Sequence, residues 1–239
     1  MKILLLGYGK MGREIERIAL ERGHEIAGRI DVSNRQELAA LSNEKVDVAI
    51  EFSTPEAAVD NIKKCLEKGW PVVSGTTGWL GHKKEIETLC RQHEGAFFYS
   101  SNYSIGVNLF FRLNIYLAKL MKGQPYDVDM TEIHHIHKKD APSGTAITLA
   151  EGLQAGNRDL EGWTLAPEKR ERYVPISSER TGEVPGTHIV RYSSPIDMIE
   201  ISHTAHGRQG FALGAVVAAE WLKGRKGIFG MDDLLNLEG

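Results

Sequence analysis

Cysteine is scarce in this chain: Cys65 and Cys90 are the only two in 239 residues. That count argues against a disulfide framework and fits a reducing, cytoplasmic setting. Long apolar runs are missing as well. None approaches the roughly 20 residues that span a bilayer, so no membrane partner is expected. The stretch from Met1 reaches Gly7 too soon for a secretory signal. Nor does charge of one sign accumulate. Lys and Arg number 29 against 32 Asp and Glu, a net charge of −3, so no nucleic-acid footprint dominates. No internal repeat or low-complexity segment is visible. What is present is globular composition, 41% hydrophobic and 26% charged, in a chain long enough for one large domain or two small ones.

The first thirty residues carry a nucleotide-binding pattern. Residues 2–6 are a short apolar run followed at once by Gly7-Tyr8-Gly9-Lys10-Met11-Gly12. A helical pattern follows, with Ile15, Ile18, Ala19 and Leu20 on one face, and stops at Gly23. Residues 25–30 read as a second strand, ending in Asp31. Each glycine is there for a physical reason. Gly7 permits the tight turn, Gly9 lets backbone approach a pyrophosphate, and Gly12 lets helix pack close to strand. The helix N-terminus then presents free N–H groups to phosphate. Asp31, 19 positions beyond Gly12, stands where an acid accepts hydrogen bonds from ribose hydroxyls.

The alternation continues. Residues 45–51, 71–74 and 96–99 read as strands, and 56–68 and 83–92 as helices, with Pro55 at a first helical position. This implies a doubly wound parallel sheet, whose ligands sit at the carboxyl ends of the strands. The small-polar loops Gly75-Thr76-Thr77-Gly78 and Ser100-Ser101-Asn102-Tyr103-Ser104 are therefore expected to flank the glycine loop. After a helix at 105–121 the pattern changes to α+β: strands at 127–134, 178–192 and 197–205, and a helix at 145–154. Gly182 and Pro185-Gly186 are turn signals. A small-residue helix at 209–222 is expected to return to the first domain. The expected division is 1–104 with about 209–239, and 105–208.

The densest chemistry lies at Glu132-Ile133-His134-His135-Ile136-His137-Lys138-Lys139-Asp140-Ala141-Pro142-Ser143-Gly144-Thr145-Ala146. Three His and two Lys within six residues make a local cationic site suited to an anion. Histidine can donate a proton near neutral pH, and lysine supplies a compact charge or a second acid. Ser143, Gly144 and Thr145 open a helix, a cradle for a carboxylate. No metal is expected, because adjacent histidines lack the i, i+4 spacing of a helical metal pair and no acid is evidently placed as third ligand. A solvated basic loop is the bland alternative, and it leaves the helix-opening Ser-Gly-Thr unexplained. Cys65 and Cys90 read as packing residues, and so does Trp79. Arg208 could serve the site or an interface.

The block 132–146 resembles, without a gap, the signature of the 4-hydroxy-tetrahydrodipicolinate (dihydrodipicolinate) reductase family of lysine and diaminopimelate synthesis. The resemblance extends in order through Gly7 to Arg13, Phe52-Ser53-Thr54-Pro55-Glu56, 75–78, 101–108, 182–188 and Phe211-Ala212 with Gly214-Ala215. It implies an N-terminal Rossmann domain holding NADH or NADPH. It also implies a C-terminal domain that binds a cyclic dicarboxylate and closes over the cofactor, hydride transfer to ring C4, and a homotetramer. By motif position, His134 resembles the proton donor, Lys138 its acidic partner, and His135 a substrate ligand. Gly144 and Thr145, with Ser143 beside them, resemble carboxylate donors. Gly7, Gly9, Lys10, Met11, Gly12, Asp31, Gly75, Thr76, Thr77, Ser100, Ser101, Asn102 and Tyr103 resemble cofactor contacts.

Two departures stand out. The chain is short between Asp31 and Val46, so a reduced second crossover is expected there. And Val32 follows the acid where many relatives carry a basic residue for an NADPH 2′-phosphate; Arg35 or Arg13 could substitute. Asp31 favours a free 2′-hydroxyl, so NADH is expected to serve at least as well as NADPH. Two other readings stay open: another two-domain dehydrogenase acting on an amino or imino acid, and a nucleotide-sensing protein without catalysis.

Overall fold

A computed structural model describes residues 1–237. In chain order the elements are β1 (Lys2–Leu6), α1 (Lys10–Glu21), β2 (Glu25–Ile30), α2 (Glu37–Ala40), β3 (Val48–Glu51), α3 (Pro55–Glu67), β4 (Val72–Ser74), α4 (Lys83–Gln92) and β5 (Ala96–Tyr99). Then come α5 (Ile105–Met121), β6 (Asp127–His134), α6 (Gly144–Gly156), β7 (Gly162–Leu165), β8 (Tyr173–Arg180), β9 (Thr187–Ser193) and β10 (Met198–Thr204). The chain ends with α7 (Gln209–Leu222), β11 (Gly227–Phe229) and α8 (Met231–Leu235). It divides into two compact units: Met1–Ile105 with the chain from Arg208 onward, and Gly106–Gly207.

The first unit is a six-stranded parallel sheet ordered β11-β5-β4-β3-β1-β2. Both faces are covered, as the near-continuous apolar strands require. Ile3 and Leu5 of β1 pack with Ile15, Ile18, Val216 and Ala219 of α1 and α7. Leu4 and Leu6 point the other way, into the cluster of Ile62, Leu66, Ile86 and Phe97. The small residues of α7 have a steric reason: a Cβ on Gly214 would lie 1.7 Å from the Tyr103 carbonyl oxygen. Cys65 and Cys90 are buried in this unit and free. Trp79, 2% exposed, packs edge-on against Phe97 and Tyr99.

The second unit is a five-stranded mixed sheet ordered β10-β9-β6-β8-β7. Its central strand β6 runs parallel to β8 and antiparallel to β9. The helices α5 and α6 contribute Phe110, Ala118, Leu149 and Leu153 to a core with Met130, Ile176 and Val190 of the sheet.

Several sequence expectations need correction. The span 178–192 is not one strand: β8 stops at Arg180, the chain turns, and β9 begins at Thr187. Gly182 (φ +49°) and Gly186 (φ +155°) make that turn, which their positive φ reserves for glycine. The third strand begins at Val48 rather than residue 45, because Asn43–Lys45 form a short 3-10 turn. The strands β7 and β11 and the helix α8 were not expected from the sequence; each is five residues or fewer, too short to show a period. The second crossover is indeed reduced, its only α-helix being the four-residue α2.

Candidate active site

The candidate nucleotide site lies at the carboxyl ends of the first sheet. Gly7 turns the chain out of β1 with φ +91°, and a Cβ there would lie 2.1 Å from the Phe52 carbonyl oxygen. On Gly12 a Cβ would lie 2.2 Å from the Gly7 carbonyl oxygen, so α1 starts hard against the turn. Gly9, the residue before α1, has nothing within 4 Å of its Cβ position. That gap, at a helix N-terminus, is where a pyrophosphate fits. Gly7, Gly9, Asp31 and Arg35 line a cavity of about 360 Å³ together with Phe52 and Thr54.

Asp31 is exposed at the end of β2. Its Oδ1 accepts from Val32 N at 2.8 Å, and its own N–H donates to Asn34 Oδ1 at 2.8 Å. Arg35, and not Arg13, lines the cavity. Its Nη2 donates to Asp60 Oδ2 at 2.6 Å, while its buried Nε has no partner. Lys10, at the first turn of α1, is exposed. Met11, Gly75, Ser101 and Tyr103 line a second cavity of about 310 Å³ with Arg208 and Phe211. Arg208 thus belongs to the nucleotide unit.

The two polar loops are built on a residue that the sequence alone does not single out. Glu51 closes β3, fully buried, and accepts from Ser74 Oγ at 2.7 Å, Thr76 Oγ1 at 2.9 Å and both the N–H and hydroxyl of Ser53. Burial pushes its carboxyl up, against the pull of those donors. The Thr76 hydroxyl donates to Glu51 and accepts from Ser53 N at 2.8 Å, so its one proton is already placed. Tyr103, 1% exposed, donates its hydroxyl to Ser74 O at 2.7 Å and lines the second cavity. Trp79 Nε1 donates to Thr76 O at 2.7 Å and props the loop from beneath. Ser100 Oγ donates to Asn102 O, and Asn102 Oδ1 accepts from Ser104 N; these contacts shape the third loop. Thr77 and Ser101 stay exposed.

In the second unit, a separate cluster of chemistry-bearing residues is built on β6. Its period of two places Met130, Glu132 and His134 on the buried face. Register then sets His188 of β9 opposite Glu132, and Arg180 of β8 opposite His134. Glu132 is the hub. Ser143 N donates to both its oxygens at 3.1 Å, and Arg180 Nη2 donates to Oε1 at 3.0 Å. Burial opposes the charge, but these donors outweigh it and hold the carboxyl below the usual glutamate range. His134 Nδ1 lies 3.4 Å from Glu132 Oε2, without the alignment of a hydrogen bond. Burial lowers the His134 pKa, with Glu132 pulling the other way. His188, 5% exposed, is pushed down to about 4 by burial and by His134 beside it.

Arg180 also fixes the loop after β6, donating to Asp140 O at 2.5 Å and Lys138 O at 3.3 Å. Lys138 Nζ donates to both Asp140 oxygens at 2.8 Å. His135 is half-buried, its buried Nδ1 without a partner. His137 is exposed, 3.7 Å from Glu183. Gly144 is exposed at the start of α6, with Thr145 beside it. Ser143 stands directly before that helix start. It is 2% exposed; its N–H goes to Glu132, its Oγ accepts from Ala146 N at 3.2 Å, and the same Oγ lies 3.1 Å from His188 Nε2. It caps the helix.

The structure supplies the acid that the sequence did not place beside the histidines. One ligand atom each from Glu132, His134 and His188 lie within 4.8 Å of one another. The donor set nevertheless fits a cation poorly. The Arg180 guanidinium already neutralises Glu132, and Ser143 N–H and Oγ occupy lone pairs that a metal would need.

A glycine-turn nucleotide unit joined in one chain to an α+β unit with a buried histidine–carboxylate cluster and a cationic loop defines a two-domain, nucleotide-dependent oxidoreductase. Comparison with known proteins makes this specific. Family models described as dihydrodipicolinate reductase, N-terminus and C-terminus, match residues 1–103 and 106–235. The 4-hydroxy-tetrahydrodipicolinate reductase of Christiangramia forsetii is 52% identical over 239 residues, covering 99% of this chain and 98% of that one. That of Methanoregula boonei is 37% identical over 254 residues, with 99% and 98% covered. The solved structure of a dipicolinate-bound dihydrodipicolinate reductase from Paenisporosarcina sp. TG-14 superposes with a TM-score of 0.79 at 22% identity, covering 98% of each chain. The chain belongs to the dihydrodipicolinate reductase family and is a reductase enzyme.

Proposed function

We propose that this enzyme reduces 4-hydroxy-tetrahydrodipicolinate to tetrahydrodipicolinate with NADH or NADPH, and that His134 and Lys138 manage the proton. A bound reduced nicotinamide supplies a hydride to ring C4; one proton is taken up and one water leaves. The observation that carries the residue assignment is the Glu132–His134 cluster beside the loop bearing Lys138, directly before the helix start at Gly144. A dicarboxylate needs both elements: cations to meet its charge, and free helix-start N–H groups to fix one carboxylate. His135, Ser143, Gly144 and Thr145 are assigned to substrate binding. Gly7, Gly9, Lys10, Met11, Gly12, Asp31 and the loops 75–77 and 100–103 are assigned to the nucleotide, with Thr76 acting through its backbone.

Asp31 at the ribose end of the cavity supports NADH as a substrate, and Arg35 in the same wall supports use of NADPH. We expect NADH to be at least as effective. Assembly as a homotetramer and a cytoplasmic location belong to the same reading. Exposed Ile196, Met198 and Ile199 at the β10 edge support the first; the second draws on the paired absence of disulfides and of any described helix able to cross a membrane. The test is an assay with freshly generated 4-hydroxy-tetrahydrodipicolinate, following loss of NADH and NADPH absorbance in parallel. Turnover with kcat/KM for NADH equal or higher is expected. A clear NADPH preference refutes the Asp31 argument. Binding of nucleotide without turnover refutes the reaction.

A further inference from the structure

We propose that Glu132 is the positioning residue of the reaction: it orients the His134 imidazole through Nδ1, stabilises its protonated form, and leaves Nε2 to exchange the proton. The inference rests on the reading of His134 as proton donor.

The argument starts from what faces His134. On its own strand stands Glu132; on β9, His188; on β8, Arg180; in the following loop, Lys138 and Asp140. Two of these favour a proton on His134. Asp140 is exposed and already paired with Lys138. Glu132 is buried, charged, and held at both oxygens by Ser143 and Arg180, so it has little freedom to turn away. His134 Nδ1 is buried with no hydrogen-bond partner, and Glu132 Oε2 at 3.4 Å is the acceptor within reach. A proton on that nitrogen gains a charge-assisted partner after a small rotation of the ring.

The far side of the ring is specified as well. A Cβ on Gly186 would lie 3.0 Å from His134 Nε2, and its φ of +155° disfavours other residues, so no side chain at this position crowds Nε2. The His188 ring stands 5.1 Å away and nearly perpendicular, walling one side. Its contact with Ser143 Oγ ties that wall to the same hub. The arrangement parallels other sites in which a buried carboxylate fixes the tautomer of a histidine whose opposite nitrogen carries the proton.

The test uses the full chain as Glu132→Gln, Glu132→Asp and His134→Asn. Two quantities are read: the His134 titration by imidazole NMR without substrate, and the pH dependence of kcat. In Glu132→Gln the His134 pKa falls, the decline of kcat with rising pH begins at lower pH, and kcat near pH 7.5 drops about tenfold to a hundredfold. KM for substrate stays within about twofold. Glu132→Asp keeps the charge but withdraws it, so it recovers part of both readouts; it also serves if the Gln variant does not fold. An unmoved His134 titration and pH profile in both Glu132 variants overturns the inference. Normal turnover of His134→Asn overturns instead the reading of His134 as donor, so the two failures are distinguishable.

Discussion

Acid should loosen the second unit through His188. This side chain is 5% exposed, and its pKa is pushed from 6.5 down to about 4 by burial and by the neighbouring His134. The unfolded chain takes up the proton near pH 6.5, whereas the folded chain refuses it until about pH 4. Stability is therefore fully present above pH 6.5 and is lost as pH falls toward 4. With about 1.4 kcal/mol per pH unit, the loss from this one group relative to neutral pH is about 0.8 kcal/mol at pH 6, about 2 at pH 5 and about 3 at pH 4. The assay is urea unfolding of the wild type and His188→Gln at pH 7, 6, 5 and 4, followed by circular dichroism. Other titrating groups contribute to both proteins, so the difference between the two curves isolates His188. The variant should lose stability at pH 7 and close the gap by about 3 kcal/mol at pH 4. A difference that stays constant across this range would refute the account of a histidine buried neutral.

Gly214→Ala should destabilise the first unit by about 3 kcal/mol or more in urea, because its methyl would meet the Tyr103 carbonyl oxygen at 1.7 Å inside a packed helix contact. An unchanged midpoint would mean that α7 shifts without cost. Asp31→Ala should weaken NADH binding about tenfold by calorimetry, while Arg35→Ala should weaken NADPH and leave NADH nearly unchanged; equal losses for both nucleotides would remove Arg35 as the phosphate partner. Asp140→Asn should tighten binding of a planar dicarboxylate such as dipicolinate a few-fold at low salt, since Lys138 is then released from an exposed pair worth at most about 1 kcal/mol. Weaker binding would mean that Asp140 holds Lys138 in place rather than competing for it.

How far the sequence foretold this protein depends on how local each feature is. The passage from β1 through Gly7, Gly9 and Gly12 to Asp31 is a run of neighbours whose order itself encodes turn, helix and strand, and the structure places Gly7, Gly9 and Asp31 around one cavity. The helices α4, α5 and α7 were legible because their stop signals and periodicity lie within each segment. The strands β7 and β11 were not: three or four half-buried residues hold no period to read, and only pairing with β8 and β5 makes them strands. The break inside 178–192 was legible, because Gly182 and Pro185-Gly186 are turn signals in the sequence itself. Alternation persists on both sides of residues 181–186, and Gly182 and Gly186, both at positive φ, break it at those signals.

The site divides along the same line. The cationic block 132–146 is contiguous, so its charge and its helix start were visible. What the block is attached to was not. Glu132 stands in the motif as one more acid until register brings His188 of β9 and Arg180 of β8 against it, and those partners come from positions 48 and 56 residues away. The same non-locality explains Ser143. A serine ahead of Gly144 and Thr145 offers a hydroxyl and an N–H, and sequence alone aims both at a ligand. Once Glu132 is known to be buried beneath it, the buried carboxylate has first claim on that N–H, because an unsatisfied charge in the interior costs far more than an unmade contact to a solvated ligand. Glu51 repeats this under the nucleotide loops, where it takes the hydroxyl of Thr76. In both units, then, exposed loop positions stand beside a buried glutamate's partner: Thr77 next to Thr76 in the first, and Gly144 next to Ser143 in the second. The polar residues beside them serve a buried glutamate that holds the loop still.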